Sequence, residues 1–181
     1  MSPRPASPLD DPAIDRVVER AFRGHPRSDG TEVAIVRGLR DAGALSVSLV
    51  AAIGGEVRGY VAASPVRIAG ATGGWHGLGP LAVDPASQRI GLGSALVAEC
   101  LSALCRLGAD GCVVLGDPAY YRRFGFRPIE ELVYSGASPA HFLAHPFRAV
   151  VPRGEVAYHD AFAAPARNRR PVPPGGSTTR R

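Results

Sequence analysis

The sequence predicts a single mixed α/β domain, built on a sheet with antiparallel N-terminal strands and parallel central strands. Residues 45–53 and 56–68 are rich in apolar and β-branched side chains and flank Gly54-Gly55, which is typical of a β-hairpin. Residues 75–83 then form a strand pattern that leads through a glycine-containing turn into an apolar helix pattern over residues 92–107. A buried strand after that helix would complete a parallel crossover.

Two amphipathic helices are predicted ahead of the hairpin. Apolar side chains recur at three- and four-residue spacing over residues 12–22, and Asp10 or Asp11 can cap this helix. A second helix is predicted over residues 31–41, with Gly43 as its C-terminal stop. Both helices have one apolar face, so both should pack on the sheet.

The third strand contains residues that interrupt a hydrogen-bond ladder. Gly79-Pro80 lies at its centre, and because proline cannot donate to the ladder we expect a bulge or a splayed strand there. After the long helix, residues 112–115 are continuously apolar, which predicts a buried parallel strand. A short helix follows, with Asp117 as its cap and Pro118 at its first position, and ends near Phe124. Three more extended segments are expected over residues 126–131, 141–147 and 155–159.

The charge of the chain does not predict a nucleic-acid partner. The 181 residues carry a formal net charge of +5, and every basic residue is an arginine. Five of the 21 arginines lie in residues 165–181, so the remaining sixteen balance the sixteen acidic residues. The absence of lysine excludes a Schiff-base lysine and an NTPase P-loop. We expect one domain over residues 1–164 and a disordered Pro/Arg-rich tail over residues 165–181.

Cysteine content and hydropathy indicate a protein of the cytoplasm. Cys100, Cys105 and Cys112 form no C-x-x-C pair and read as small core residues, so neither a disulfide nor a structural zinc or other metal site is expected. The N-terminus has no apolar signal core, and no apolar run is long enough to span a membrane. We therefore expect a cytoplasmic location and no membrane partner.

The turn Gln88 to Gly93 is the most informative segment of the chain. It has the form Gln-x-x-Gly-x-Gly and opens the long helix, whose first amides have no helical partner and attract phosphate oxygens. Gly91 and Gly93 lack a Cβ, which lets the backbone bend and lets a diphosphate approach. A glycine turn alone is weak evidence, and an ordinary strand-to-helix turn has the same letters.

Three segments together resemble a known superfamily. The strand over residues 78–83, the turn over residues 88–93 and the segment over residues 121–126 occur in the order found in GNAT acyl-CoA-dependent N-acetyltransferases. The run Gly-Asp-Pro-Ala-Tyr-Tyr over residues 116–121 is similar to the YhbS-like branch of that superfamily. The resemblance spans residues 4–162 and implies a GNAT-like fold with a splayed parallel strand pair and acetyl-CoA as co-substrate.

The resemblance also implies the residues of the donor site. Backbone amides of the turn would bind the pyrophosphate of coenzyme A, Gln88 would shape the turn, and the strand end would offer backbone groups to the pantetheine arm. The turn residues implied are Arg89, Ile90, Gly91, Leu92, Gly93 and Ser94, and the strand residues are Leu81, Ala82 and Val83.

Acyl transfer to an amine needs an oxyanion donor, a route for the amine proton and an acid for the leaving sulfur. The resemblance implies an amide near Leu81 or Ala82 as the donor and Tyr121 as the acid, because a phenol with a pKa near 10 roughly matches a thiolate. Tyr121 could instead be a structural aromatic residue. His76 lies on the predicted third strand near the expected acetyl site, but a lone histidine on a strand is more often structural than a base. The base is left unassigned.

Three functions are compatible with these observations. The first is direct transfer of an acetyl group to an amine in a ternary complex, and the second is a non-catalytic acyl-CoA-binding or sensing module. A dinucleotide-binding domain is weaker, because the glycine turn follows several antiparallel strands. The acceptor could be a small amine, an antibiotic, a peptide N-terminus or a protein lysine, and relatives are commonly homodimers. The resemblance places the acceptor near residues 11–41 and 130–159, with candidate side chains Arg16, Glu19, Arg20, Arg23 and Arg37.

Overall fold

The structure, a computed structural model, describes residues 2–26, 28–71 and 73–163. The predicted tail over residues 165–181 lies outside the described residues, as does residue 164 at the end of the predicted domain. The helices are α1 (Asp11–Phe22), α2 (Glu32–Asp41), α3 (Leu92–Arg106) and α4 (Pro118–Tyr121). The strands are β1 (Arg4–Pro5), β2 (Val47–Ile53), β3 (Glu56–Pro65), β4 (Arg67–Ile68), β5 (Trp75–Val83), β6 (Gly111–Leu115), β7 (Leu132–Val133), β8 (Phe142–Pro146) and β9 (Gly154–Ala157).

The larger sheet has six strands in the order β1-β2-β3-β5-β6-β8. The pair β5–β6 is parallel, and its neighbours are antiparallel. A smaller sheet has the order β4-β9-β7. The predicted mixed α/β architecture is confirmed, with the crossover helix α3 joining the two parallel strands.

Helices cover both faces of the larger sheet. Helix α3 buries Leu92, Leu96 and Cys100 against strand residues on one face. Helices α1 and α2 bury Ile14 and Val36 on the other face. The smaller sheet covers a third cluster around Trp75. Both sides of the central strands are therefore dry, as their apolar sequences predict.

Three boundaries differ from the sequence expectation. The predicted strand over residues 56–68 divides at Val66 between the two sheets. The predicted strand over residues 126–131 is reduced to an isolated bridge at Arg127, because the chain turns at Ile129, whose carbonyl accepts from the amide of Leu132 over 3.1 Å. Leu107 is 62% exposed, since α3 ends at Arg106 and the chain turns away at Gly108.

Candidate active site

The two parallel strands separate half-way along their length. Residues Trp75 to Leu78 of β5 pair with Gly111 to Val114 of β6, and the pairing ends there. On the other side of β5, the register with β3 shifts between Val61 and Ala63. Gly79 and Pro80 of β5 together lie opposite one residue of β3, which makes a bulge. The predicted bulge and splay are both present, and they leave one edge of the β5 end unpaired with β6.

The register identifies which backbone groups of β5 face this opening. The amide of Asp84 donates to the carbonyl of Arg58, 2.8 Å away, so Gly59 and Val83 are a non-hydrogen-bonded pair. Antiparallel pairs alternate, so the next pair directs the amide of Ala82 towards β3.

The amides of Leu81 and Val83 therefore point into the splay. Of the two residues considered as oxyanion donors, Leu81 fits the register and Ala82 does not.

The turn after β5 is closed by two side chains. Gln88 donates from Nε2 to the carbonyl of Val83 over 3.2 Å, which folds the turn back on the strand. Asp84 accepts from the amide of Ala86 over 3.0 Å and caps the short 3-10 turn at Pro85–Ser87. Gln88 thus shapes the turn through a side-chain bond to β5.

The backbone of the turn adopts left-handed conformations before α3 begins. Gly91, the N-cap residue, has φ +90°, and a Cβ built there would meet no atom within 4 Å. Arg89 has φ +63° and is the one non-glycine residue with positive φ among those described. The first helical bond runs from Ala95 to the carbonyl of Gly91 over 3.0 Å. The amides of Leu92 to Ser94 are therefore without helical partners, which suits a phosphate.

Gly93 has a different physical reason to be glycine. A Cβ at this position would lie 2.9 Å from the hydroxyl of Tyr120 and 3.5 Å from Cγ2 of Val83. Tyr120 also lies under the guanidinium of Arg123, 4.7 Å from the ring centroid. A side chain at Gly93 would push the Tyr120 hydroxyl away from the start of α3.

Asp84 joins the turn to the rest of the domain, and the sequence analysis did not single it out. Its side chain is 5% exposed, and its Oδ2 accepts from Arg20 over 3.0 Å and from Arg58 over 3.4 Å. Burial raises the pKa of Asp84, but the Ala86 amide and the Arg20 and Arg58 guanidinium groups outweigh it, so the pKa lies below its usual value.

Arg20 is one of the side chains considered for acceptor binding. In the structure it donates instead to Asp84, at the start of the turn after β5. Three more of the five candidates are ion-paired: Arg23 and Glu19 with each other, and Arg37 with Asp15.

Tyr121 lies at the end of α4, whose start is capped by Asp117 through a 2.9 Å bond from the amide of Ala119. It is 8% exposed, and its ring packs edge-on against Tyr120 and Phe126. Burial raises the pKa of Tyr121, so its phenol stays protonated. A protonated phenol can donate to a leaving sulfur.

His76 does not lie beside Leu81. It occupies the closed half of β5, paired with Pro65 and Cys112. Gly79-Pro80, where the register shifts, lies between His76 and Leu81. Burial lowers the pKa of His76 despite a hydrogen bond with the Gly74 backbone. No catalytic role is therefore assigned to His76.

A cleft of about 1460 Å³ lies between α1, the connection to α2 and α2 itself. Among the described residues, its lining includes six carboxylates and three arginines. The carboxylates are Asp11, Asp15, Glu19, Asp29, Glu32 and Asp41, and the arginines are Arg16, Arg23 and Arg37.

The described part of the chain contains no group of three or more His, Cys, Asp or Glu residues that could hold a metal ion. Cys100, Cys105 and Cys112 are free thiols, and Cys105 alone is exposed. Within residues 2–26, 28–71 and 73–163, no helix is both long enough and apolar enough to cross a membrane.

The chain is similar in sequence and fold to known acetyltransferases. The family model described as "Acetyltransferase (GNAT) domain" matches residues 44–128. The chain is 45% identical over 120 residues to the uncharacterized N-acetyltransferase YhbS of Escherichia coli K12, which spans 66% of this chain and 69% of that protein. The cofactor-binding residues predicted from the sequence, 81–83 and 88–94, lie within residues 44–128, which the family model matches.

Two solved structures are similar over most of the chain. A GNAT family acetyltransferase from Brucella melitensis, crystallised with acetyl-CoA, is 46% identical with a TM-score of 0.79, covering 88% of this chain and 96% of that one. The E. coli YhbS structure, in complex with CoA, is 37% identical with a TM-score of 0.81, covering 90% and 91%.

Proposed function

Because this chain belongs to the GNAT family of acetyl-CoA-dependent N-acetyltransferases, we propose that it transfers the acetyl group directly to an amine while both substrates are bound. The observation that carries the proposal is the splay of β5 from β6 beside the free amides of α3. The splay opens a passage through the sheet, and the helix start provides an anion site at its mouth. A donor and an acceptor can therefore meet from opposite faces.

The cysteines favour direct transfer over an acetyl-enzyme intermediate. Burial raises the pKa of Cys100 to about 12 and that of Cys112 well above its usual value, so neither is a thiolate nucleophile. Cys105 is exposed near the C-terminal end of α3, whereas the splay is near the N-terminal end of that helix. The amine itself is then the nucleophile.

We assign the donor site to the turn and the end of β5. The amides of Arg89, Ile90, Gly91, Leu92, Gly93 and Ser94 would bind the pyrophosphate, with Gln88 closing the turn. The amide of Val83 would meet the pantetheine arm in the manner of strand addition. The conformations at Arg89 and Gly91 fit this role, because both turn the backbone ahead of the helix.

The chemistry uses two further groups. The amide of Leu81 would donate to the thioester carbonyl oxygen as negative charge develops there. The nitrogen–carbon bond forms, the carbon–sulfur bond breaks, and Tyr121 donates its phenolic proton to the sulfur. The nitrogen releases one proton, and Tyr121 regains one from solvent, so the reaction produces an amide and coenzyme A.

An amine acceptor is consistent with the charge of the cleft beside α1 and α2. Among the described lining residues, carboxylates outnumber arginines by six to three, which favours a cationic ligand. We propose this cleft as the approach of the acceptor. The same proposal includes action in the cytoplasm as a homodimer, without nucleic acid or membrane as a partner. Light scattering and cell fractionation check those two points.

The test is a thiol-release assay with acetyl-CoA and a panel of amines, run beside calorimetric titration with coenzyme A. We expect coenzyme A to bind and at least one amine to release thiol, with mass spectrometry showing the acetylated amine. Absence of both binding and release would contradict the proposal. Binding without release from any amine would instead favour an acyl-CoA sensor.

A further inference from the structure

Two buried hydroxyl groups lie close to the splay, and neither has a hydrogen-bond partner among the described residues. They belong to Ser64 on β3 and to Tyr158, which follows β9. Burying a hydroxyl without a partner is costly, and most buried polar atoms in proteins are paired. Two unpaired hydroxyls at one place therefore indicate a site for a small polar group.

Gly77 brings the two hydroxyls to the same face of the sheet. Ser64 and Gly77 are opposite residues of the antiparallel pair β3–β5, so their side-chain directions coincide. A Cβ on Gly77 would lie 2.4 Å from Cε1 of Tyr158, so the Tyr158 ring occupies that space. Ala63 and Leu78, their neighbours along the strands, belong to the core under α3. Ser64 and Tyr158 are therefore on the face opposite α3.

This place is next to the point where the sheet opens. Leu78 is the last residue of β5 that pairs with β6, and Gly77 immediately precedes it. Three titratable side chains interact electrostatically with the Tyr158 phenol: Cys112 on β6, Tyr134 after β7, and Tyr121 on α4. The hydroxyl of Tyr158 is thus within electrostatic range of the proposed acid, from the other side of the sheet.

Neither Cys112 nor Tyr121 can act as a base near neutral pH. Thiols and phenols have ordinary pKa values of about 8.5 and about 10, and burial raises the pKa of Cys112 and of Tyr121 further. Burial also raises the pKa of Tyr158 itself, so this phenol is neutral. A proton that leaves an amine here needs water to carry it.

We propose that the Ser64 and Tyr158 hydroxyls hold the water that accepts the proton of the acceptor amine. This passage of the proton through the held water, the proton relay, rests on the proposed transfer function. The water first takes the proton that converts the acceptor ammonium into the neutral amine. As the nitrogen–carbon bond forms and the carbon–sulfur bond breaks, the nitrogen passes its second proton to the same water and on to solvent, while the sulfur takes its proton from Tyr121. A buried water needs two to four polar partners, and the two hydroxyls supply two of them. Both side chains are positioning residues, because they act through the water.

Tyr158→Phe and Ser64→Ala each remove one oxygen and preserve the packing, so neither should lower the thermal unfolding midpoint. The thiol-release assay uses two probes, alanylglycinamide with an α-amine and Nα-acetyllysinamide with an ε-amine. At pH 7 we expect each variant to lose about tenfold in kcat, with the KM for acetyl-CoA unchanged. Above pH about 8 the α-amine is already neutral, so its loss should shrink, whereas the loss for the ε-amine should persist.

Tyr134→Phe is the matched control, because this ring lies 5.2 Å from that of Tyr158 and also carries a phenol. It should retain the wild-type kcat at every pH. Parallel pH profiles for Tyr158→Phe and the wild type would overturn the relay.

A crystal structure of the wild type with acetyl-CoA provides a readout that does not depend on activity. We expect one water within about 3.2 Å of both the Ser64 and the Tyr158 hydroxyl oxygens. Hydroxyls that bond to protein groups instead would overturn the relay. Lack of turnover by the wild type with every amine counts against the transfer function, whereas the bound water decides the relay in either case.

Discussion

The two sides of the splay are built from the chain in different ways. The proposed donor side, residues 81–94, is one continuous segment that includes the end of β5, the turn and the start of α3. The proposed acceptor side combines the α1–α2 cleft with Ser64 on β3 and Tyr158 after β9. The first can be inferred from spacing along the sequence. The second depends on which strands become neighbours.

The difference also concerns the groups that do the binding. On the donor side the binding groups are mainly backbone amides, which glycine conformation and helix polarity direct. On the acceptor side they are side chains, whose role depends on burial and on partners. Arg20 illustrates this, because its position in α1 suggested substrate binding and its contact with Asp84 makes it a structural anchor.

Replacing Tyr121 by Phe should produce the largest effect and is the first test of the donor side. Loss of a general acid lowers kcat by about 100-fold or more, while coenzyme A binding stays close to wild type because the turn is untouched. Rapid-quench kinetics with the best amine of the panel, together with calorimetry, measures both quantities. An unchanged kcat would return Tyr121 to a purely structural role in the aromatic cluster with Phe126.

Gly93→Val tests whether the donor side depends on backbone approach. The new side chain would collide with the Tyr120 hydroxyl, and overpacking of about 1–3 kcal/mol corresponds to roughly a 10- to 100-fold weaker binding of acetyl-CoA if the turn distorts. Titration calorimetry with acetyl-CoA measures the dissociation constant. Gly108→Ala, at the other end of α3, is the control for damage to the helix. Wild-type affinity in Gly93→Val would show that the turn tolerates a side chain.

Asp84→Asn tests the link between the two sides. Removing the charge of Asp84 leaves Arg20 without its anion and Arg58 with Glu56 alone, so we expect a loss of about 1–3 kcal/mol in the free energy of unfolding. Because the folded pKa of Asp84 is lowered, its contribution is complete above pH about 5 and is lost as the pH falls below about 4.

Thermal unfolding between pH 3 and pH 7 measures this effect, and the wild type should lose more stability at low pH than Asp84→Asn does. Asp160→Asn is the control, because that side chain is 92% exposed. Equal loss of stability at low pH in the wild type and in Asp84→Asn would show that Asp84 does not contribute to the acid sensitivity.

Arg23→Ala should produce the smallest effect. Its exposed ion pair with Glu19, at 3.4 Å along α1, contributes about 0.3–0.5 kcal/mol at most. Stability should therefore barely change, and the KM for the amine should fall slightly, since a positive charge leaves the acidic cleft. Steady-state kinetics with the amine as the varied substrate checks this. A KM that rises more than fivefold would assign Arg23 to substrate binding.

Much of the fold could be predicted because its elements have strong local signals. The boundaries of α1, α2, α3 and β5 agree with the sequence expectation within about one residue. The expectation was wrong where a contact outside the segment decides the outcome. Residues 56–68 split between two sheets, and the strand expected over residues 126–131 is reduced to one bridge at Arg127.

The sequence by itself determined the crossover from β5 through the Gln88 turn to α3 and β6, and with it the family and the donor. Those signals are local: glycines that permit a left-handed backbone, an open helix start and a proline that interrupts a ladder. Tertiary structure alone decided that Leu81 faces the splay, that Arg20 anchors Asp84, and that Ser64 and the Tyr158 ring lie beside Gly77 on one face of the sheet. Those properties depend on strand register and on burial between distant segments, which residue spacing does not encode.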